Sequence, residues 1–201
     1  MNLQKEESLF NQGFNLIAAI DEAGRGPLAG PVVSACVIID KNFKIIPELE
    51  KVKDSKKLSS KKRNELFSII KQNVKAVQIG ICDHRIIDKV NILQATFISM
   101  KKSLENTKIN PDIVLVDGKF SIPKVKIKQE AIISGDDLVF SIAMASIIAK
   151  VSRDFIMEEL DKKYPEYFFA KHKGYGTKLH LEMIKKFGPC AIHRKSFAPF
   201  S

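Results

Sequence analysis

The sequence has no tryptophan and only three cysteines among its 201 residues. Cys36, Cys82 and Cys190 are far apart and form no Cys-x-x-Cys pair. We therefore expect neither a structural zinc site nor a disulfide framework. No apolar run approaches the roughly 20 residues of a membrane span, and the N-terminal MNLQKEESLFNQGF lacks the apolar core of a secretory signal. These absences predict a cytoplasmic protein.

The sequence also lacks internal repeats, low-complexity segments and Gly/Ser-rich linkers. A chain of this length is long enough to bury one sizeable core. Its 45% hydrophobic and 28% charged residues are ordinary for a globular protein. We therefore predict a single domain over residues 1–201.

Acidic residues are in the minority, since 23 Asp and Glu oppose 33 Lys and Arg for a net charge of +10. Such an excess favours polyanionic partners. Residues 51–63 contain seven basic residues against Asp54, and residues 170–201 contain seven against Glu182. The two clusters are typical of nucleic-acid contacts, although a solvated helix start explains the first almost as well.

Short apolar runs and amphipathic segments predict a mixed α/β sheet. Runs rich in β-branched residues predict strands at 15–20, 32–39, 74–82, 112–116 and 125–133, the last partly charged and therefore near an edge. Apolar residues every three or four positions predict helices at 60–72, 91–104, 138–160 and 177–187. Small residues such as Ala143, Ala145 and Ser146 would let the third helix lie close to the sheet.

Three carboxylates, Asp21, Glu22 and Asp117, directly follow strand-like runs. The carboxyl ends of neighbouring strands converge, and Asp136, just before the long helix, could add a fourth carboxylate. Such a cluster raises the pKa values of its members, a conflict that hard cations such as Mg²⁺ or Mn²⁺ remove. Two such ions suit phosphodiester cleavage. Each carboxylate taken separately could instead be a turn residue or a helix cap. That alternative is favoured for Asp136 or Asp137 and disfavoured for the Asp21–Glu22 pair before Gly-Arg-Gly, and spacing alone does not decide the case.

A glycine-rich turn with one arginine follows the first acidic pair. Gly24-x-Gly26-x-x-x-Gly30 has the wrong interval for a dinucleotide-binding loop, and prolines interrupt it. A cradle for a phosphodiester or sugar fits better, because Arg25 offers a fork of donors and glycines expose main-chain N–H groups.

The C-terminal basic segment holds one aromatic residue between two glycines, Tyr175. An exposed ring there could stack on a base or sugar, and packing on its own helix is an equal alternative. His172, His180 and His193 lie in the same region at spacings that match no metal motif. We expect them to contact phosphate or pack on a helix rather than to act in catalysis.

Together these motifs resemble those of ribonuclease HII, the type 2 ribonuclease H family. The similarity covers nearly the whole chain: DEAGRGPLAGPV at 21–32, DSKKL at 54–58, NILQAT at 91–96, VDGK at 116–119, GDD at 135–137, SIAMASIIAKVSRD at 141–154, HKGYGT at 172–177 and HRKSF at 193–197. The resemblance implies a ribonuclease H-like fold, with a mixed five-stranded sheet flanked by helices. It also implies a basic helical C-terminal extension over about 160–201 within the single domain.

The same resemblance implies the activity and the site. It implies a monomeric endonuclease that cleaves the RNA strand of RNA–DNA hybrids and incises 5′ of single ribonucleotides in duplex DNA. The products would carry 3′-hydroxyl and 5′-phosphate ends. The resemblance implies that two Mg²⁺ or Mn²⁺ ions are held by Asp21, Glu22, Asp117 and Asp136, with Asp136 favoured over Asp137. By the same resemblance, Gly24, Arg25 and Gly26 would contact the ribose 2′-hydroxyl, and Tyr175 would stack on the deoxyribose that follows. Four further residues in matched motifs would contact or orient phosphates: Lys56, Lys57, Arg153 and His193.

The sequence departs from the family pattern at two positions. Met144 stands where the family usually has Ala, and we expect only a packing adjustment there. Phe168 stands where the family usually has Gly, and we expect an effect on how the Tyr175 loop docks. We do not interpret the C-terminal SFAPFS as a docking peptide for a replication clamp.

Two other functions remain open from the sequence. A non-catalytic basic module that coats nucleic acid would gain nothing from carboxylates that repel phosphate. A DNA-specific two-metal nuclease would leave Gly-Arg-Gly and Tyr175 without a role.

Overall fold

The computed structural model describes residues 2–200, apart from the side chains of residues 53–57. At its centre is a mixed five-stranded sheet in the order β3-β2-β1-β4-β5. The strands are β1 (Leu16–Ala23), β2 (Val32–Asp40), β3 (Ala76–Cys82), β4 (Ile113–Asp117) and β5 (Lys128–Ile132). All five predicted strands are confirmed, and β5 is an edge strand as its charge pattern predicts. The first strand continues past its predicted end at residue 20 to Ala23, so Asp21 and Glu22 lie within β1 rather than directly after it.

Helices flank this sheet. Within the described residues they are α1 (Gln4–Asn11), α2 (Ser60–Asn73), α3 (His84–Val90), α4 (Ile92–Asn106), α5 (Gly135–Leu138), α6 (Phe140–Lys163), α7 (Phe169–His172) and α8 (Lys178–Phe187). Two 3₁₀ segments add Pro47–Lys57 and Pro165–Tyr167. None of the helices in this part of the chain combines the length and apolar character that a bilayer span requires.

The predicted helices are confirmed, with one boundary corrected. Ser59 caps α2 and Thr177 caps α8, each through a side-chain oxygen that accepts a main-chain N–H. The predicted helix at 138–160 begins later, because Val139 has extended dihedral angles (φ −121°, ψ 122°) that separate α5 from α6. Periodicity missed α1, α3, α5 and α7, which are too short to repeat an apolar face over several turns.

Side-chain alternation along β1 and β4 creates a separate core on each face of the sheet. On one face, Ile17, Ala19 and Leu115 pack against α6. On the other face, Ala18 and Ile20 pack with residues of α4. Ala143 and Ala145 of α6 are fully buried against the sheet, so the predicted close approach of this helix is confirmed. Met144 is buried in the same core.

The sheet register brings the ends of β1 and β4 together. These strands are parallel neighbours in which Ile17 pairs with Ile113 and Ile20 pairs with Val116. The next residue on each strand is a carboxylate, Asp21 on β1 and Asp117 on β4. The β-pairing therefore places two residues 96 positions apart side by side, near the carboxyl ends of two central strands.

After α6 the chain folds back over the turn that follows β1. The rings of Tyr167, Phe169 and His193 pack together in this region. The main-chain N–H of Leu28 donates to the Gly174 carbonyl at 2.8 Å, and Ala29 forms an isolated bridge with His193. The C-terminal region therefore supports the glycine-rich turn directly, while its assignment as an extension over about 160–201 stays a prediction.

Phe168 adopts a left-handed conformation with φ 58° between the second 3₁₀ segment and α7. This conformation costs a side-chain-bearing residue about 1 kcal/mol or more relative to glycine. The backbone itself thus gives a physical reason for the glycine that the family usually has here. The Phe168 ring is partly exposed and lies 5.0 Å from the Lys171 ammonium.

Candidate active site

Asp21, Glu22 and Asp117 form one acidic cluster near the carboxyl ends of β1 and β4. One carboxylate oxygen from each lies within 4.8 Å of the others. Asp21 is only 4% exposed, and Glu22 and Asp117 are half-buried. Three residues that the sequence predicts as ligands therefore meet in space.

Burial is the main cause that raises the pKa of Asp21 well above its ordinary value, and the charges of Glu22 and Asp117 raise it further. Hydrogen bonds from the Ser146 hydroxyl and the Glu22 N–H oppose this shift. Burial also raises the pKa of Glu22, against the opposing effect of Arg25. The cluster is thus an unfavourable place for uncompensated negative charge.

The donor set fits a hard divalent cation. All three side chains offer carboxylate oxygens, which Mg²⁺ and Mn²⁺ prefer. The Glu22 Oε2 atom is buried and has no hydrogen-bond partner within the described residues. A buried oxygen without a hydrogen-bond partner destabilises the fold, and coordination of a cation would offset this cost.

Asp136 follows a residue that contacts this cluster, Gly135, but Asp136 is not itself part of the cluster. Within the described residues, the group that meets the 4.8 Å limit contains only Asp21, Glu22 and Asp117. The one-turn helix α5 nevertheless contacts the cluster, because the Gly135 N–H donates to Asp117 Oδ1 at 2.6 Å. Asp136 is half-buried whereas Asp137 is exposed. Its role as a fourth ligand therefore stays a prediction.

A cavity of about 440 Å³ opens beside the acidic cluster. It is lined by Glu22, Ala23, Gly24, Arg25, Gly26, Arg63, Ser146, Ile147, Lys150 and Tyr175. The Arg25 side chain is about half exposed, and its Nη1 donates to Glu22 Oε1 at 3.2 Å. The cavity combines basic side chains, an aromatic ring and glycine main chain beside carboxylates, which suits a phosphodiester substrate.

Gly24 begins the turn with φ +98°, a conformation that favours glycine. A Cβ atom at this position would lie 2.1 Å from Arg153 Nε and 2.7 Å from the Pro31 carbonyl oxygen. Only glycine therefore fits between the turn and the side chain beneath it.

Arg153 supports the turn from within the protein. It is 1% exposed, and its guanidinium donates to the main-chain carbonyls of Pro31, Ala29 and Lys173. Burial lowers its pKa to about 10, so it remains a cation at neutral pH. With its guanidinium engaged in this way, Arg153 is not placed to touch phosphate, and we revise its expected role to positioning of the turn.

His193 is likewise buried at 1% exposure. Its Nδ1 accepts the Cys190 N–H at 2.9 Å, and its Nε2 lies 3.0 Å from His180 Nε2. His180 Nδ1 donates to the Tyr175 carbonyl at 2.9 Å, so its Nε2 is the acceptor for the proton on His193 Nε2. His193 is therefore not placed to contact phosphate directly. Instead it belongs to a chain of hydrogen bonds that ends on the Tyr175 main chain.

Both histidines in this chain of hydrogen bonds are neutral at physiological pH. Burial, the main cause, and the nearby His172 together lower the pKa values of His180 and His193 to about 4. The ring of Tyr175 is 44% exposed at the cavity and lies 5.9 Å from the Arg153 guanidinium carbon. Tyr175 precedes α8, and its partly exposed ring faces the cavity, so the structure favours this position over packing against its own helix. The side chains of Lys56 and Lys57, expected to contact or orient phosphates, lie outside the described residues.

Sequence reasoning missed several residues at the site. Ser146 is a small helical residue in the sequence, yet it hydrogen bonds to Asp21 and lines the cavity. Arg63 and Lys150 also line the cavity. The sequence does contain one signal for Ser146 and Lys150: residues four positions apart lie on the same face of a helix.

Comparison with known proteins identifies relatives over most of the chain. The family model described as ribonuclease HII matches residues 18–200. A ribonuclease HII of Caldicellulosiruptor bescii is 55% identical over 193 residues, which are 96% of this chain and 91% of the relative.

Two solved structures share the fold. The crystal structure of ribonuclease H2 from Pyrococcus horikoshii has a TM-score of 0.75 at 28% identity and covers 92% of this chain and 95% of that chain. A PCNA:RNase HII complex from Archaeoglobus fulgidus also gives a TM-score of 0.75, at 27% identity, with 90% of this chain and 95% of that chain covered.

Proposed function

This chain belongs to the ribonuclease HII family and is a metal-dependent endoribonuclease that acts on RNA–DNA hybrids. We propose that it also incises 5′ of single ribonucleotides embedded in duplex DNA. The products carry 3′-hydroxyl and 5′-phosphate ends. The observation that carries the proposal is the acidic cluster beside a cavity lined by both Gly24–Gly26 and Tyr175.

Asp21, Glu22 and Asp117 would hold the divalent cations, with Asp136 as the proposed fourth ligand. When bound, two Mg²⁺ or Mn²⁺ ions would supply activation of a water molecule and stabilisation of the leaving oxygen in phosphodiester hydrolysis. The protein fixes the carboxylates on the ends of paired strands, so they need no rearrangement before the reaction. Arg25 reduces the local negative charge that a phosphate would meet at Glu22.

Recognition of ribose is assigned to two elements of the cavity. Main-chain groups of the Gly24–Gly26 turn, which lines the cavity, would contact the 2′-hydroxyl that distinguishes RNA from DNA. The Tyr175 ring lies beside Gly26 in the cavity lining, since a Cβ atom at Gly26 would be 3.9 Å from Tyr175 Cε1, and there it would stack on the deoxyribose that follows the ribonucleotide. A 2′-hydroxyl at that second position would clash with the ring, so the pair favours an RNA-to-DNA junction.

The proposal includes a monomeric cytoplasmic enzyme that acts on these two substrates. The PCNA partner of the Archaeoglobus fulgidus relative belongs to that protein, and the C-terminal segment of this chain supplies no separate argument for such a complex.

A cleavage panel tests the function. Three duplexes of one sequence are compared: DNA with a single internal ribonucleotide, all-DNA, and an RNA–DNA hybrid, each with Mg²⁺, Mn²⁺ or chelator. The proposal requires metal-dependent cleavage of the first and third duplexes and none of the second, with the first cut 5′ of the ribonucleotide.

Each other outcome contradicts a defined part of the proposal. Cleavage of the hybrid alone contradicts recognition of single ribonucleotides. Cleavage of the all-DNA duplex contradicts the roles of Gly24–Gly26 and Tyr175. Comparison of rates with Mg²⁺ and Mn²⁺ at equal concentrations determines which ion supports faster turnover.

A further inference from the structure

Arg194 is fully buried and directs its guanidinium at the turn after β1. Its Nη2 donates to the Gly24 carbonyl at 2.6 Å, its Nη1 to the Arg25 carbonyl at 2.9 Å, and its Nε to the Gly30 carbonyl at 3.0 Å. Its own main-chain N–H donates to the Leu28 carbonyl at 2.8 Å. One side chain from the C-terminal segment thus holds most of the turn.

These contacts determine which way the peptide groups face. In a trans peptide the C=O and the following N–H point in opposite directions. Because the Gly24 and Arg25 carbonyls point inward to Arg194, the N–H groups of Arg25 and Gly26 point away from it. Arg25 and Gly26 line the cavity. Within the described residues, no protein acceptor is recorded for either N–H.

The turn is held from two sides. Arg153 occupies the space beside Gly24 that a Cβ atom would need, and it also donates to the Ala29 and Pro31 carbonyls. Arg194 binds carbonyls of the same turn. Burial, the main cause, and the charge of Arg153 together lower the pKa of Arg194 to about 9, so both arginines remain charged at neutral pH. Two buried cations therefore lie beneath a surface that would receive a polyanion.

We propose that Arg194 is a positioning residue for ribose recognition, which turns the N–H groups of Arg25 and Gly26 toward the substrate. The inference rests on the proposed contact between the Gly24–Gly26 turn and the 2′-hydroxyl. Arginine is required because its planar guanidinium carries donors in fixed directions that reach three carbonyls at once. A lysine at the same position retains the charge but has a single ammonium and cannot hold three separate carbonyls in one geometry.

Affinity measurements with Arg194→Lys test the proposal in the presence of Asp117→Asn, which blocks cleavage. The dissociation constants are measured for a duplex with a single ribonucleotide and for the matched all-DNA duplex. We expect the preference for the ribonucleotide to fall by about tenfold, as loss of one or two oriented hydrogen bonds implies, while affinity for all-DNA stays unchanged. Lys195→Arg, an exchange of the same chemistry at the exposed neighbouring residue, is the control.

The outcomes separate this role from a merely structural one. A general loss of stability would lower affinity for both duplexes together and leave their ratio intact, which overturns the proposal. If the Asp117→Asn parent shows no ribonucleotide preference, the proposed function fails instead. In that event, residual dipolar couplings of the Arg25 and Gly26 N–H bonds still test the orientation, because unchanged couplings in Arg194→Lys would contradict control by Arg194.

A second measurement applies if Arg194→Lys does not fold. The amide protons of Arg25 and Gly26 are followed by NMR in the Asp117→Asn protein during titration with each duplex. Shifts of both amide signals with the ribonucleotide duplex but not with all-DNA support the proposal. The absence of a selective shift at both amides overturns it.

Discussion

The acidic cluster and the turn beside it are built in different ways. Asp21 and Asp117 are placed by β-sheet register, so main-chain hydrogen bonds between adjacent strands determine their separation. The Gly24–Pro31 turn is held by side chains that come from α6 and from the last residues of the chain, Arg153 and Arg194. Under the proposed function, catalysis therefore depends on the sheet, whereas substrate recognition depends on side-chain contacts between distant parts of the chain.

The two regions also differ in their electrostatics. Burial in the acidic cluster raises carboxylate pKa values, a cost that a bound cation removes. Burial beneath the turn lowers arginine and histidine pKa values, and main-chain carbonyls there satisfy the side-chain donors. Changes in the first region should therefore affect turnover, and changes in the second should affect selectivity and stability.

The largest expected effect is on turnover in the acidic cluster. Asp117→Asn removes one cation ligand, and loss of several kcal/mol of transition-state stabilisation should slow cleavage by about a thousandfold or more. Affinity for the hybrid should stay equal or improve, because a charge that repels phosphate is lost. Single-turnover rates and dissociation constants for the hybrid measure the two effects. Near-normal turnover would remove Asp117 from the catalytic set.

The second effect is a pH dependence of stability that comes from the support region. His180 and His193 have ordinary pKa values of 6.5 that fall to about 4 in the native protein. Between about pH 6.5 and pH 4 the unfolded chain therefore binds protons that the native protein does not. The free energy of unfolding should fall as pH falls through this window, by about 1–2 kcal/mol for each histidine at pH 5.

Denaturant unfolding at pH 7.5 and pH 5 measures this loss. The double variant with His180→Asn and His193→Asn is the control, because asparagine can replace the Nδ1 contacts but does not titrate. Its stability should depend less on pH than that of the unsubstituted protein. Equal pH dependence in both proteins would show that these histidines are not the source.

The third effect separates recognition from chemistry. Tyr175→Ala should reduce kcat/KM for the single-ribonucleotide duplex by about tenfold, the value expected for loss of one stacking contact. The effect on a long hybrid should be smaller, because that substrate offers no unique junction. Tyr175→Phe keeps the ring and serves as the matched control. Equal losses on both substrates would contradict recognition of the junction by Tyr175.

The smallest effect is expected away from both regions. Glu6 of α1 is buried, and its Oε1 accepts the Ser141 N–H at 2.7 Å at the start of α6. Glu6→Ala should cost about 1 kcal/mol of unfolding free energy through loss of this cap, while Glu7→Ala, at an exposed position, should cost little. Both variants should keep the same ratio of activities on the two substrates. A changed ratio in Glu6→Ala would show that recognition depends on general stability.

The sequence predicts the acidic cluster well for a physical reason. Strand-like runs that end in carboxylates carry their own positional information, since adjacent parallel strands end at a common edge. Asp21, Glu22 and Asp117 therefore meet as predicted. The same reasoning does not place Asp136, because its position depends on the short α5 and on the extended Val139 that follows.

The support region is not predictable to the same degree. Arg153 and His193 fall in motifs that favour phosphate contact, yet their burial depends on how α6 and the C-terminal segment pack around the turn. No local sequence pattern identifies Arg194, because its three acceptors are carbonyls 164 to 170 residues earlier in the chain. Main-chain acceptors have no sequence signature, and only the folded chain identifies them.

Cation binding to the acidic cluster tests the central claim most directly. Titration of Mn²⁺ into the protein, followed by calorimetry and electron paramagnetic resonance, compares the unsubstituted chain with Asp117→Asn and with Asp137→Asn at an exposed neighbour of the site. We predict saturable binding that releases protons, because the pKa values of Asp21 and Glu22 are raised before the cation binds. This binding should be retained in Asp137→Asn and lost in Asp117→Asn, and unchanged Mn²⁺ affinity in Asp117→Asn would contradict the account.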